Sequence, residues 1–181
     1  MKATEKHDRF LWGLLGSKLI SKYSIAPHIW KRLFLIKNLN AKYFIMGISN
    51  KKDLDKTINR LLKNPKFKGL NIAFPWKNSL VKYCFKLEKL AKETSTINTL
   101  INKEGVIEGC NTDGRGLVNS AKRIVGLKSK NILLLGCGGS AQTIPPLLIN
   151  EQVKEIFLFD IKKKSAERLF RLFNNLSKKR G

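Results

Sequence analysis

Five residues, Asn131-Ile132-Leu133-Leu134-Leu135, run directly into Gly136-Cys137-Gly138-Gly139-Ser140-Ala141. A short apolar run that ends in glycine reads as a buried strand, and the glycines turn the chain tightly into a helix that continues to Asn150. The first glycine permits the turn, the second lets backbone approach a pyrophosphate, and small Ala141 allows close packing of helix on strand. N–H groups at the start of such a helix face phosphate oxygens. Asp160 lies 19 residues beyond Ala141, at the end of the next predicted strand, Glu155–Phe159. An acid there bonds a ribose 2′-hydroxyl. The candidate cofactor-binding residues are therefore Gly136, Gly138, Gly139, Ser140, Ala141, Asp160 and Lys162. Asp160 favours NAD, whereas Lys162, Lys163 and Lys164 favour the 2′-phosphate of NADP, so the residues leave both open.

Upstream, the same alternation of strand and helix recurs. Strands are predicted at Phe10–Gly16, 43–48 and 70–74, helices at 27–36, 53–62 and 78–92, a hairpin at 97–109 and a helix at 113–125. A strand at Asn131–Leu135 and a helix at 165–176 complete an α/β chain with a mostly parallel sheet. The chain has 181 residues and is 43% hydrophobic, with 10 Phe, which excludes a disordered basic tail. No apolar run approaches the ~20 residues of a membrane-spanning helix. Lys2, Lys6 and Arg9 precede an apolar run, but Glu5 and Asp8 dilute the charge and no small-residue cleavage site follows, so a cytoplasmic chain without a targeting segment is expected. Cys84, Cys110 and Cys137 have neither disulfide nor zinc spacing, and no metal site is expected.

The net charge of +23 raises nucleic-acid binding as an alternative. The lysines are scattered, however, and 28 Lys, 17 Ile and 15 Asn share A/T-rich codons. Only Lys162-Lys163-Lys164 and Lys178-Lys179-Arg180 form runs, and a charge run is ordinarily a solvated face.

Four polar segments are placed at predicted strand ends, where open α/β sheets bind ligands. Lys77 and Asp113 within them suit an acid/base pair. Three of these segments are Asn71-Ile72-Ala73-Phe74-Pro75-Trp76-Lys77, Ile97-Asn98-Thr99-Leu100 and Asn111-Thr112-Asp113-Gly114-Arg115-Gly116. Read in order with Gly136-Cys137-Gly138-Gly139, they resemble the shikimate dehydrogenase (shikimate/quinate dehydrogenase) family over nearly the whole chain. The resemblance implies a substrate-binding and catalytic domain over 1–115 and a partial Rossmann-type dinucleotide-binding domain over 116–181, its first half only. It implies reversible, NADP- or NAD-dependent reduction of 3-dehydroshikimate to shikimate in aromatic amino-acid biosynthesis.

By the same resemblance, Lys77 and Asp113 are the catalytic pair. Ser24, Lys22, Asn71, Asn98 and Asp113 bind substrate, and a homodimer is open. The family's first carboxylate-binding serine aligns with Lys22, its substrate-binding threonine with Ala73, and the arginine that clasps the 2′-phosphate in NADP-using members with Ile161. Family members continue beyond the point matching Gly181, so a C-terminally truncated member is expected. The alternative is a catalytically impaired protein that keeps a shikimate-like ligand site.

Overall fold

The first strand, β1 (Phe10–Gly16), runs parallel to β2 (Ala41–Gly47) on one side and β3 (Phe67–Ile72) on the other. The computed structural model describes residues 9–178, so Lys2, Glu5, Lys6, Asp8, Lys179 and Arg180 lie outside the described residues. The right-handed β-α-β crossovers expected of parallel strands use α1 (Ile20–Tyr23) with α2 (Ala26–Ile36), and α3 (Lys51–Leu62). Asn50 starts α3, its side-chain oxygen accepting the N–H of Asp53 at 2.9 Å. Leu54, Ile58 and Leu61 then form the buried stripe of α3.

Beyond β3 come β4 (Lys86–Leu87), α4 (Lys89–Thr94), β5 (Thr99–Lys103) and β6 (Val106–Cys110), and the six strands lie in the order β2-β1-β3-β5-β6-β4. The pairing of β3 with β5 is antiparallel. Of the helix predicted at 78–92, only residues 89–92 are α-helical, as the start of α4. A single 3-10 turn, Val81–Tyr83, is followed by an extended segment in which the Phe85 N–H donates to the Ile107 carbonyl at 2.8 Å. Pairing with the hairpin overrides the local helical spacing of Leu80, Cys84 and Leu87.

Helix α5 (Asp113–Ile124) leads to β7 (Asn131–Leu135), α6 (Pro145–Asn150), β8 (Glu155–Phe159) and α7 (Lys163–Lys178). The helix expected directly after the glycines is divided. Ala141–Thr143 is a 3-10 turn, and α6 begins only at Pro145. Pro145 and Pro146 lack the N–H that a helix interior needs but fit its first turn. Strands β7 and β8 pair in parallel as a two-stranded sheet.

The chain divides into two compact units. The first contains the residues up to Lys86 with Thr99–Glu108, and the second contains Leu87–Asn98 with everything from Gly109 onward. In the first, Leu14, Leu15, Leu54, Ile58, Phe67 and Leu70 are buried. In the second, Val118, Leu127, Ile144 and Leu148 form one cluster and Cys137, Ala141 and Leu169 another. Ile132, Leu134, Ile156 and Leu158 pack on these clusters, whereas Leu133, Leu135, Phe157 and Phe159, on the opposite face of the sheet, are exposed. Among the described residues no helix is long and apolar enough to cross a membrane.

Candidate active site

In the first unit, β1, β2 and β3 end together, and two of the polar segments, after β1 and at the end of β3, leave from that shared carboxyl edge. The chain after β3 is tied back to β1. The Ala73 N–H donates to the Leu15 carbonyl at 2.7 Å, the Ser17 N–H to Phe74 at 3.0 Å, and the indole of buried Trp76 to Gly16 at 3.2 Å. These three bonds position the backbone that carries half-buried Lys77. Asn71, the penultimate residue of β3, accepts a hydrogen bond at Oδ1 from the Tyr43 hydroxyl at 2.9 Å. The Tyr43 ring stacks on Trp30 with centroids 5.6 Å apart. Burial pushes the Tyr43 hydroxyl far above its ordinary pKa, so it remains a donor. With Oδ1 engaged in this way, the Asn71 amide has a fixed orientation.

The Tyr43 contact that orients Asn71 has one mark in the sequence, a polar tip within the apolar run 43–48. Ser24 is half-buried, and its hydroxyl accepts the Ala26 N–H at 3.3 Å at the entry to α2. Lys22 is exposed in the last turn of α1. At Ala73 no hydroxyl stands where the family pattern has a threonine.

In the second unit, Asn98 and Asp113 meet. The Asn98 amide donates to Asp113 Oδ1 at 2.7 Å and to the Thr112 hydroxyl at 2.9 Å, while its own oxygen accepts the Thr112 N–H at 3.2 Å. Asp113 is also held from behind. Fully buried Asn111 accepts the Asp113 N–H at 3.1 Å and donates to the Thr96 hydroxyl at 2.9 Å. Thr112 and Asn111 therefore shape the start of α5, which holds Asp113 in its first turn, a favourable place for an anion. Gly114 brings α5 against the backbone of Thr143, leaving no space for a Cβ.

The glycine turn lies in the same unit. Gly136 has φ +93°, a conformation that favours glycine, and its N–H donates to the Phe159 carbonyl at 2.8 Å. A Cβ at Gly136 or Gly138 would meet no atom within 4 Å, so the space in front of the turn is open. That opening suits a group that approaches backbone closely, as a pyrophosphate does. Gly138 and Ser140 are exposed, Gly139 is half-buried, and Ala141 is buried beneath them. Asp160 faces the turn, with Oδ2 accepting the Cys137 N–H and Oδ1 the Lys162 N–H, both at 2.8 Å. These two N–H groups hold its carboxyl below the ordinary aspartate range.

Residues 14–100 match the family model of the shikimate dehydrogenase substrate binding domain. The chain is 32% identical over 164 residues to a shikimate dehydrogenase (NADP(+)) from Aquifex aeolicus, covering 90% of this chain and 59% of the relative. To that from Methanosphaera stadtmanae it is 28% identical over 168 residues, covering 90% and 56%. A crystal structure of shikimate dehydrogenase from Aquifex aeolicus superposes with TM-score 0.83 and 30% identity, over 96% of this chain and 63% of that one. Shikimate 5-dehydrogenase from Listeria monocytogenes, crystallised with shikimate and NAD, superposes with TM-score 0.81 and 25% identity, over 97% and 61%. The chain thus spans somewhat more than half the length of the curated relatives it matches.

Proposed function

We propose that this chain, which belongs to the shikimate dehydrogenase family, binds 3-dehydroshikimate and shikimate and supplies the acid/base and substrate-binding residues for their nicotinamide-dependent interconversion. Residues 1–115 are read as the substrate-binding and catalytic domain and residues 116–181 as the first part of a dinucleotide-binding domain. The cytoplasm is the compartment this reading implies. The observation that carries it is the Asn98–Thr112–Asp113 cluster, a carboxylate and an amide fixed side by side at a helix start.

In the direction of reduction, a bound nicotinamide supplies hydride to the ketone carbon of 3-dehydroshikimate. The Lys77 ammonium gives its proton to the ketone oxygen, which becomes the hydroxyl of shikimate. In reverse, Lys77 takes that proton back. Asp113 accepts a hydrogen bond from a substrate hydroxyl, and Asn98 holds the carboxylate in place. Asn71, its amide oriented by Tyr43, donates to a substrate oxygen through Nδ2. Ser24 and Lys22 face the substrate carboxylate, Lys22 as a point charge where a hydroxyl is the family pattern.

Shikimate-dependent reduction of NAD+ and NADP+, measured separately, tests the reading together with calorimetry of shikimate binding. Turnover that falls at least 100-fold in Lys77→Ala, with binding heat retained, is the expected result. Absence of both turnover and heat would overturn it. The replacements Lys22 and Ala73 favour a second reading, a shikimate-binding protein without turnover, and heat without turnover in the unaltered chain would select that one.

A further inference from the structure

We propose that the outward face of α2, together with a basic depression beside it, docks this chain onto an anionic lipid surface.

Helix α2 is apolar on two sides. Trp30 and buried Phe34 turn inward and pack on Trp12 of β1, with ring centroids 6.5 and 5.4 Å away. On the other side Ile25, Ile29, Leu33 and Ile36 follow one another at helical spacing. All four are exposed, Ile25 by 69% and Ile36 by 67%. A surface helix ordinarily turns polar residues to water, and one that is apolar all round is ordinarily covered all round.

Charge identifies the covering partner. From Arg9 to Lys52 the chain has nine Lys and Arg and no Asp or Glu. Lys31 and Arg32 lie on α2 itself, and both are exposed. Between α2 and β2 is a depression of about 470 Å³, in which Arg9, Lys31 and Lys42 stand around Phe34, Leu35 and Leu39. None of the described residues that line it is acidic. Lipid phosphates in the depression would meet three cations, while the isoleucines of α2 enter the boundary between headgroups and acyl chains. Lysine and arginine stems can lie along apolar surface with their charged ends among the headgroups.

The other partners fit less well. A second copy seated on α2 by a two-fold axis would bring these cations against their own equivalents. Nucleic acid would satisfy the cations and leave the isoleucines in water. The exposed face of β7–β8 is also apolar, but Glu155 shares it with Phe157 and Phe159, and an anionic surface repels a carboxylate there.

The test is co-sedimentation of the full chain, at 0.1 M salt, with vesicles of mixed phosphatidylglycerol and phosphatidylcholine or of phosphatidylcholine alone. Binding to the mixed vesicles is expected to be about tenfold tighter or more. Ile29→Ser combined with Ile36→Ser should weaken it about tenfold or more, and Lys31→Gln with Lys42→Gln by a similar factor. Lys163→Gln with Lys164→Gln removes the same charge from α7 and should change it less than about twofold. Equal binding to both vesicles, or none, would overturn the proposal. So would binding that survives the isoleucine pair, or that is lost instead with Leu133→Ser and Phe157→Ser. Self-association without vesicles that the isoleucine pair abolishes would assign the face to a second copy. Duplex DNA retained through Lys31 and Lys42 but not through the isoleucines, without vesicle binding, would assign the cations to nucleic acid. Either result would also overturn it. The lysine pair and the two vesicle types still decide the matter if the serine pair fails to fold.

Discussion

Strands β1 and β7 look alike as sequence, Leu14-Leu15 in one and Leu133-Leu134-Leu135 in the other, yet they are buried differently. In β1 consecutive residues, which point to opposite faces, are both buried, with Leu15 at 0% exposure. In β7 burial alternates. Ile132 and Leu134 pack on helices, while Leu135 is 71% exposed and lies in register with Phe159, itself 57% exposed. Parallel strands are ordinarily covered on both faces. The first unit meets that rule at β1. The second, as described, covers β7–β8 on one face. An unbroken apolar run therefore tells where a strand lies but not how many layers cover it.

The sharpest way to break this comparison is truncation on each side of it. Leu15→Ala should cost about 2–5 kcal/mol in urea unfolding, whereas Leu135→Ala should stay within about 0.5 kcal/mol. A large loss at Leu135 would mean that its face is covered in solution. A second contrast lies within α5. Gly114→Ala drives a Cβ into the Thr143 backbone, its carbonyl carbon 2.7 Å away, and should lower stability by about 1–3 kcal/mol. Two residues on, a Cβ at Gly116 meets nothing within 4 Å, so Gly116→Ala should raise stability by about 0.5–1 kcal/mol. Thermal melts of the two variants give opposite signs if the helix is seated as described.

The smallest effect is acid sensitivity. In the first unit, Lys82 and Tyr83 hold Asp55 low and Lys103 holds Glu108 low. In the second, Glu88 is raised by burial but lowered more by Arg115 and the Leu90 N–H, while backbone N–H groups hold Asp160 low. A carboxyl depressed on folding stabilises the native state above its unfolded pKa, and that contribution is lost as pH falls through its folded one. Melting temperature should therefore hold above about pH 5 and decline below it. Added salt should weaken the share from the lysine pairs first, leaving the backbone-held Asp160 contribution the more salt-resistant.

Periodicity and glycine placement made much of this fold legible. The predicted bounds of β1, β7 and β8 coincide with those observed. Helices α2 and α3 begin one and two residues earlier than predicted, α3 because Asn50 caps it. The helix expected at 78–92 fails over residues 78–88 because Phe85 bonds to Ile107, a partner whose proximity only the folded hairpin creates. The site divides in the same way. Motif order marked Asn98 and Asp113 individually, but their 2.7 Å contact depends on the β5–β6 hairpin and on Asn111 beneath it. The Tyr43–Asn71 contact is not legible in the sequence because the two residues are 28 apart, on strands that are not neighbours in the sheet. The spacing of Asp160 from the glycines is visible in the sequence, while its hold on the turn follows from two backbone donors that carry no side-chain signature.

The uncovered face of β7–β8 also bears on how copies of the chain behave in solution. Leu133, Leu135, Phe157 and Phe159 are exposed side by side on that face. Every copy also carries a formal charge of +23, and mutual repulsion keeps such patches apart while the ionic atmosphere is thin. The lysine-rich composition thus acts as a colloidal stabiliser. Its protection extends about 10 Å at 0.1 M salt and about 3 Å at 1 M.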